Sequence, residues 1–328
     1  MQDAKRVKTV DDPDEARRNM VDVYVRNNNV SSCDEDCPCF KASDPHCAKA
    51  WKTAFVNARD TPTGPNMKAI ANLRAMIWFQ TEYYIACTLK ADPTFFSEVQ
   101  TTAVRCPTRK RKFCGTCYVE VVEEDMLDVA SKLVQEGKSV AVLNMANAFI
   151  PGGGVRRGKG AQEENIHRRT DAFRFLEQQP ENYPIPLHKC LVSSEVTVLR
   201  GSEADGYPFR HPFRITLLSC AAVAKPVLTE TQDYANHADR RCMQRKISAI
   251  MEAAVQTGCD SVVLSAFGCG AFGNPPEIVS QIFRYEIDYI PVKNIIFSII
   301  DDHNAARCHN PRGNFLPFKE TFGQIRDP

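Results

Sequence analysis

The stretch from Ser139 to Arg169, SVAVLNMANAFIPGGGVRRGKGAQEENIHRR, constrains this chain more than any other. It begins with an apolar run, Val140 to Met145, that is typical of a buried strand. Three glycines follow, Gly152 to Gly154, and a polar segment then begins at Gln162. A buried strand, a glycine loop and a helix start, in this order, form a place where backbone N–H groups can hold an anion beside carboxylates.

Length and charge narrow the class of protein. A chain of 328 residues holds one large domain or two small ones. The formal net charge of +1 provides no overall attraction to nucleic acid or to a membrane surface, so we expect direct binding to neither. No apolar run approaches the roughly 20 residues that cross a bilayer, and the charged N-terminus does not resemble a secretory signal. We expect an intracellular protein, cytoplasmic or nuclear.

The 14 cysteines of the chain bear on both compartment and metal binding. Most stand singly in apolar stretches, which favours reduced thiols in an intracellular protein over disulfides. A dense N-terminal cluster could form a structural zinc site, alone or with the later cysteines Cys106, Cys114 and Cys117, because zinc takes four thiolate or imidazole ligands. Free thiols in an irregular segment are the alternative. The candidate ligands are Cys33, Cys37, Cys39 and Cys47.

Hydrophobic periodicity divides the chain into three parts. Residues 48–90 show helical spacing, interrupted at residues 61–65, within a cysteine-rich and mostly helical N-terminal extension, residues 1–117. From Tyr118 strands and helices alternate, which predicts a three-layer α/β domain over residues 118–305, followed by a C-terminal tail, residues 306–328. The predicted strands lie at 119–122, 140–145, 191–199, 215–220, 262–266 and 295–300, and the predicted helices at 126–134, 162–178, 243–254 and 278–287.

A second glycine loop follows the strand at residues 262–266. It runs from Gly268 to Phe272 and leads through Asn274 into a helix. Two glycine loops at the ends of neighbouring strands could hold a diphosphate between them, since glycines let backbone N–H groups approach an anion. Tight turns are the simpler explanation of the glycines. The simpler explanation of Glu163 and Glu164 is a charged first helical turn, which the helix dipole favours.

Three classes of function fit such loops. In the first, a P-loop nucleotide hydrolase, Gly153 to Lys159 matches G-x-x-x-x-G-K, and Asp301 and Asp302 could serve as magnesium ligands. Gly160 stands, however, where that motif requires Ser or Thr. The second is a dinucleotide-binding Rossmann domain, whose glycine spacing the chain does not match. The third is an ADP-ribose site, in which the diphosphate is held by the loops and a carboxylate faces the sugar.

The residues resemble a known family. Asn144-Met-Ala-Asn147 followed by Gly152-Gly-Gly154 is similar to ADP-ribose-binding macrodomains. The three glycines, seven residues and then Gln162-Glu-Glu164 resemble the signature of poly(ADP-ribose) glycohydrolases, especially the compact bacterial type. Ser265 to Pro276 resembles the second phosphate loop of that family. The resemblance extends from about Tyr118 to Asn304 and implies a macrodomain with a mixed central sheet flanked by helices.

The resemblance also implies roles for individual residues. Glu164 would be the catalytic acid, and Glu163 would bind ribose hydroxyls. Asn147 would contact the distal ribose, the two glycine loops would hold the diphosphate, and Phe272 would pack against the terminal ribose. No metal or cofactor is expected for the bond cleavage. The substrate-binding set is Asn147, Gly152, Gly153, Gly154, Val155, Gln162, Gly268, Cys269, Gly270, Ala271 and Phe272.

These roles predict an ADP-ribosyl glycohydrolase with Glu164 as general acid and base. Departure of a glycosidic oxygen passes through an oxocarbenium-like state, and a partly desolvated carboxylic acid can supply the proton that the oxygen needs. The expected partners are ADP-ribose, poly(ADP-ribose) or an ADP-ribosylated protein. Hydrolysis of a single arginine-linked ADP-ribose, or binding of ADP-ribose without catalysis, are the alternatives within the same fold.

Overall fold

The computed structural model describes residues 48–108, 117–302 and 304–323. Within them the α-helices are α1 (Ala48–Asp60), α2 (Gly64–Ala91), α3 (Met126–Gln135), α4 (Gln162–Arg169), α5 (Ala172–Leu176), α6 (His237–Thr257), α7 (Pro276–Ile287) and α8 (Phe315–Phe322). The strands are β1 (Thr101–Arg105), β2 (Tyr118–Val122), β3 (Val140–Met145), β4 (Lys189–Arg200), β5 (Phe209–Cys220), β6 (Ser261–Leu264) and β7 (Asn294–Ser298).

The described strands form one mixed sheet in the order β1-β4-β5-β3-β6-β7-β2. The five strands from β5 to β2 are parallel, while β4 pairs antiparallel with both β1 and β5. Successive side chains of a strand point to opposite faces, and residues 140–144 of β3 are all buried, so helices must cover both faces at the centre of the sheet. The predicted α/β class, with a mixed sheet flanked by helices, is confirmed.

The helix predicted over residues 162–178 is two helices. Thr170 adopts an extended backbone between α4 and α5 and forms an isolated bridge with Val198 of β4. Asp171 then donates its N–H to the carbonyl of Thr197, 3.1 Å away, and accepts the Thr197 N–H at 2.7 Å. Pairing with the neighbouring strand therefore competes successfully with continuation of the helix, and α4 is a short element between the glycine loop and the sheet.

Two elements were missed by the sequence prediction. Strand β1, which the predicted boundary at residue 118 leaves in the N-terminal extension, pairs with β4 from Thr101↔Ser193 to Arg105↔Lys189. The sheet therefore begins before that boundary. Helix α8 lies in the predicted tail, and its Phe318 and Phe322 are buried against Phe297 of β7. Both elements are short, and only their tertiary pairing distinguishes them from loops.

Helix α2 packs against the glycine-rich segment that precedes α4. The break predicted at residues 61–65 is present, because α1 ends at Asp60 and Thr63 caps α2 by accepting the Asn66 N–H at 3.3 Å. Helix α2 passes so close to Gly158 that a Cβ there would lie 1.8 Å from the carbonyl oxygen of Ala71. In the part of the chain that the structure describes, no helix combines the length and hydropathy of a membrane-crossing segment.

Gly158 and Gly258 allow this close approach to be tested. Both adopt a left-handed backbone, with φ of 68° and 67°, but no atom of the described residues lies within 4 Å of a Cβ built at Gly258. We expect Gly258→Ala to lower the free energy of unfolding by about 1 kcal/mol, the cost of the backbone conformation alone. Gly158→Ala should cost about 3 kcal/mol or more, since α2 must also move. Urea unfolding of both variants measures this difference, and equal losses would contradict it.

Candidate active site

The two glycine loops lie at the same edge of the sheet. The first leaves β3 and the second leaves β6, and these strands are parallel neighbours paired from Val140↔Ser261 to Val142↔Val263. Ligands of α/β proteins bind outside the carboxyl ends of such strands. The structure thus brings together the two loops that the sequence separates by more than a hundred residues.

The first loop turns sharply over the start of α4. Gly152 and Gly153 have φ of 70° and 54°, which a residue with a side chain adopts only with strain. A Cβ at Gly153 would lie 2.7 Å from Oε1 of Glu164 and 3.0 Å from Oε2 of Glu163. Glycine is therefore required here for two reasons: the backbone conformation and the closeness of both carboxylates to the loop.

Glu163 is fixed by the backbone on either side of the loop. Its Oε2 accepts the N–H of Asn147 at 2.7 Å, and its Oε1 accepts the N–H of Gly152 at 3.1 Å. The residue is only 3% exposed. Both of its oxygens are thus occupied by the protein, and the carboxyl group cannot change position without breaking one of these bonds.

Glu164 differs from Glu163 in having one oxygen available. Its Oε1 accepts the N–H of Gly154 at 2.9 Å. Its Oε2 is buried and has no hydrogen-bond partner among the described residues. This oxygen, beside the glycine loop, is therefore available for a hydrogen bond to a ligand.

The allocation of these N–H groups bears on the predicted role of the first loop. Gly152 and Gly154 donate to the two glutamates, Gly153 donates to the Ile150 carbonyl, and Val155 donates to the Gly152 carbonyl. The loop thus positions the carboxylates in this structure. Contact of Gly152, Gly153, Gly154 or Val155 with a diphosphate stays a prediction, and it requires one of these bonds to open.

Two other predicted substrate contacts also serve the protein itself. The amide of Gln162 accepts the Met145 N–H at 2.9 Å and donates to the Leu143 carbonyl at 2.6 Å, which ties the start of α4 to the end of β3. The side-chain oxygen of Asn147 accepts the N–H groups of Phe149 and Ile150. Both side chains therefore fix the loop that carries the glutamates.

The second loop is held from its outer side. Asn274 donates to the carbonyls of Gly268, at 3.0 Å, and Val223, at 2.7 Å, and accepts the Tyr234 hydroxyl at 2.9 Å. The Cys269 carbonyl lies 2.7 Å from Nε2 of His309. With its carbonyls engaged in this way, the loop has a defined shape without help from a ligand.

The inner side of the second loop is open. The N–H groups of Gly270, Ala271 and Phe272 donate to no acceptor among the described residues. Adjacent backbone N–H groups without partners form a concave anion site of the kind that binds phosphate. Of the two predicted phosphate loops, this is the one whose donors are free.

Two side chains of the second loop, Cys269 and Phe272, pack into the protein. Cys269 is fully buried, and burial raises the pKa of its thiol well above the ordinary value, so it is not a nucleophile. Phe272 is half-buried and packs against the hydrophobic core, while its carbonyl accepts the Lys225 N–H at 2.7 Å. Its contact with a ribose stays a prediction.

The sequence prediction missed His167 and Asn144. His167 is fully buried on α4, its Nδ1 lies 2.9 Å from the Glu163 carbonyl, and burial lowers its pKa to about 4, so the ring is neutral. A Cβ at Gly152 would lie 2.8 Å from this ring. Asn144 is buried at the end of β3 and donates to the Ser219 hydroxyl at 3.0 Å. The spacing of Glu163 and His167, one helical turn, was the available signal.

The P-loop alternative does not fit this geometry. Residues 155–157 form a single 3₁₀ turn, and α4 begins only at Gln162, so the glycines do not lead directly into a helix as a P-loop does. The stem of Lys159 lies against Gly154, where a Cβ would be 2.5 Å from its Cγ. Asp301 accepts the N–H of Asn314 at the start of α8 rather than facing the loop.

The predicted zinc ligands Cys33, Cys37, Cys39 and Cys47 lie outside the described residues. Among those that are described, no group of three or more His, Cys, Asp or Glu side chains could hold a metal ion. Of the later cysteines considered as partners, Cys106 and Cys117 are free thiols, and Cys114 lies outside the described residues.

Burial dominates the electrostatics of Glu163. It raises the pKa of this carboxyl group to about 8, against the hydrogen bonds from Asn147 and Gly152, which lower it, and with the charge of Glu164, which raises it. The raised pKa favours the protonated form of Glu163 near neutral pH in the free protein.

The raised pKa of Glu163 predicts a pH-dependent stability. A carboxyl with an ordinary pKa of 4.5 in the unfolded chain and about 8 in the folded one makes its full contribution to stability below pH 4.5 and loses it as the pH rises to about 8. Glu163→Gln cannot ionise. Its free energy of unfolding, relative to that of the wild type, should therefore increase by on the order of 3 kcal/mol between pH 5 and 8. Urea unfolding at several pH values measures this, with Glu120→Gln, an exposed glutamate on β2, as control. A constant difference for Glu163→Gln would contradict the prediction.

The part of the chain that carries both glutamates of this site matches a known protein family. Residues 66–200, which include the first loop and both glutamates, match the family model described as microbial-type PARG, catalytic domain. No curated protein sequence matches the chain.

Solved structures resemble nearly two thirds of the chain. A poly(ADP-ribose) glycohydrolase of Thermomonospora curvata, bound to the inhibitor ADP-HPD, is 27% identical, with a TM-score of 0.56 over 63% of this chain and 79% of that one. The glycohydrolase of Deinococcus radiodurans in complex with ADP-ribose is 21% identical, with a TM-score of 0.54 over 64% of this chain and 86% of that one. The resemblance to compact bacterial poly(ADP-ribose) glycohydrolases that the glycine and Gln-Glu-Glu signature predicts is thereby confirmed.

Proposed function

We propose that this protein is a poly(ADP-ribose) glycohydrolase that cleaves ribose–ribose bonds of the polymer and releases ADP-ribose. One observation carries the proposal: two adjacent glutamates are buried against a glycine loop, and one oxygen of Glu164 has no hydrogen-bond partner in the part of the chain that the structure describes. The open N–H groups of the second loop, on the neighbouring strand, suit a diphosphate. The match to the microbial glycohydrolase domain agrees with this reading.

The same reading makes the α/β part of the chain a three-layer macrodomain. The mixed sheet, buried on both sides at β3, and the ligand site at the carboxyl ends of β3 and β6 support it. The N-terminal helices would then be an addition that braces the first glycine loop through α2. We retain the proposed division into an extension, a domain and a tail, with β1 assigned to the sheet.

The chemistry follows from the difference between the two carboxyl groups. The diphosphate, held by residues 270–272, would place the scissile bond next to the first loop, and such orientation can supply a large part of the rate enhancement. Glu164, through its free Oε2, would give a proton to the departing ribose oxygen and then take one from the attacking water. The bond from carbon to the ribose oxygen breaks, and the new bond to carbon comes from water.

Glu163 would bind the ribose rather than transfer the proton. Because its pKa is raised to about 8, it carries a proton at neutral pH and can donate a hydrogen bond to a ribose hydroxyl. A neutral Glu163 also spares the site a second negative charge beside the diphosphate. His167, neutral and hydrogen-bonded to the Glu163 backbone, would keep α4 in register with the loop.

Substitution of Glu164 separates catalysis from binding. Glu164→Gln keeps an acceptor for the Gly154 N–H but cannot deliver a proton. We expect release of ADP-ribose from polymer to fall at least about a hundred-fold, while the dissociation constant for ADP-ribose stays within a few fold. Glu120→Gln, remote on β2, should change neither. Product analysis by chromatography and calorimetry of ADP-ribose binding provide the two measurements.

The outcome also distinguishes the alternatives. A wild type that binds ADP-ribose but cleaves no polymer would be a binding protein. Cleavage of a protein carrying one ADP-ribose on arginine, without cleavage of polymer, would assign the mono-ADP-ribosyl activity instead. Equal polymer cleavage by wild type and Glu164→Gln would place the acid elsewhere.

Gly270 tests the second loop. Among the described residues, a Cβ at this position meets only the Cβ of Asn304, at 3.7 Å, and its φ is not positive. Gly270→Ala should therefore leave the free energy of unfolding within about 0.5 kcal/mol of the wild type. A ligand that approaches the loop N–H groups would meet the new methyl group. We expect ADP-ribose binding to weaken about ten-fold or more, a loss of about 1.4 kcal/mol. Gly64→Ala, also in open space, is the control, and unchanged binding in Gly270→Ala would place the diphosphate elsewhere.

A further inference from the structure

A cleft of about 460 Å³ lies apart from the glutamates, between β1, the start of β4 and α6. Three cations, Arg105, Lys189 and Arg245, and one histidine, His188, line it. None of the described residues lining the cleft is acidic. Its wall is apolar, formed by Leu187, which is 59% exposed, and by two prolines. Positive charge on one side and an apolar wall on the other suit a phosphate attached to a nucleoside.

The cations that line the cleft lie close together and form no ion pairs with described acidic residues. Arg105 and Lys189 are directly opposite each other in the antiparallel pair of β1 and β4, an arrangement that is unfavourable for like charges. Neither they nor Arg245 form an ion pair with any residue that the structure describes. Most other arginines in the same part of the chain do, for example Arg74 with Glu203 and Arg210 with Asp128. A bound anion would relieve this repulsion.

His188 lies close to several cations of this region. Its Nδ1 is buried. Burial and the charges of Arg245, Lys246 and Arg105 lower the pKa of His188, against a hydrogen bond with the Leu187 backbone, which raises it. Arg245, Lys246 and Arg105 therefore lie close enough to act on the ring. Lys246 is itself buried. The alternative explanation of a cation on the edge strand β1 is that it prevents pairing with another chain. That function does not require further cations on β4 and α6.

The position of the cleft relates it to the glycine loops. Lys189 starts β4 at the edge of the sheet where β5 ends, because β4 runs antiparallel to β5, and β3 and β6 end at that edge too. Three strand spacings separate β4 from β6, a distance of about 14 Å. Two linked ribose rings, which separate successive diphosphates of poly(ADP-ribose), can cover such a span.

We propose that this basic cleft is a second phosphate site, which holds the diphosphate of a neighbouring unit of poly(ADP-ribose) while the terminal unit occupies the glycine loops. The proposal rests on the proposed function for the identity of the polymer. The cleft would increase affinity for a chain over a single ADP-ribose unit, because the second site is then engaged within one ligand. It takes no part in bond cleavage.

The test removes two charges from the cleft. Arg105→Gln/Arg245→Gln is compared with Lys52→Gln/Lys293→Gln, which removes two exposed cations that do not line the cleft. Both pairs are made in Glu164→Gln protein, so that polymer binding can be measured without turnover. Binding of ADP-ribose and of polymer of defined length is followed by calorimetry and fluorescence anisotropy.

We expect Arg105→Gln/Arg245→Gln to bind ADP-ribose like the control but to bind polymer about ten-fold more weakly, the effect of losing two partly exposed charge contacts. Its polymer affinity should also depend less steeply on salt, by up to about two in the logarithmic slope. With Glu164 restored, KM for polymer should rise while kcat stays unchanged.

Equal polymer affinity in the two double variants would overturn the proposal. So would a loss confined to a single-stranded oligonucleotide, which would assign the cleft to nucleic acid. Failure of the proposed function appears separately, as a wild type that releases no ADP-ribose from polymer, because the binding comparison in Glu164→Gln protein does not depend on cleavage.

Discussion

The burial of two consecutive glutamates beneath a glycine loop is the constraint on which the site depends. Glu163 and Glu164 lie in the first turn of α4, where the helix dipole favours negative charge, but dipole attraction alone does not hold two carboxyl groups side by side. The N–H groups of Asn147, Gly152 and Gly154 supply the remaining stabilisation. A side chain at Gly153 would collide with both carboxyl groups, so the loop can hold them only because this position is glycine.

The elements around the loop maintain this approach. Gln162 ties α4 to the end of β3, and α2 lies against Gly158 so closely that the segment leading from the loop to α4 cannot move outward. At its other end α4 stops at Thr170, where pairing with β4 begins, and Arg169 is buried in ion pairs with Asp125 and Asp128 at the start of α3. A short helix fixed at both ends carries the glutamates with little freedom to shift.

The sequence predicted which residues meet but not how their hydrogen bonds are shared. Two apolar strands that each end in glycines were sufficient to predict neighbouring loops, because parallel strands present their carboxyl ends at one edge. Whether Gly152 donates to a ligand or to Glu163 depends on the angle at which α4 leaves the loop, and no local pattern encodes that angle. The same limit applies to β1 and to the break at Thr170, which exist because β4 offers partners distant in sequence.

The two loops differ in the groups that they leave available: an acceptor at the first loop and donors at the second. The first loop has given its donors to the glutamates and presents a carboxyl oxygen, whereas the second has its carbonyls occupied and presents N–H donors. Of the two loops, the second can therefore accept a diphosphate without losing a protein hydrogen bond, and on the proposed function the attached sugar would extend toward Glu164. On that proposal the substrate would lie across the sheet edge from β6, over β3 and β5, toward the basic cleft at β4, because the strands follow each other in this order.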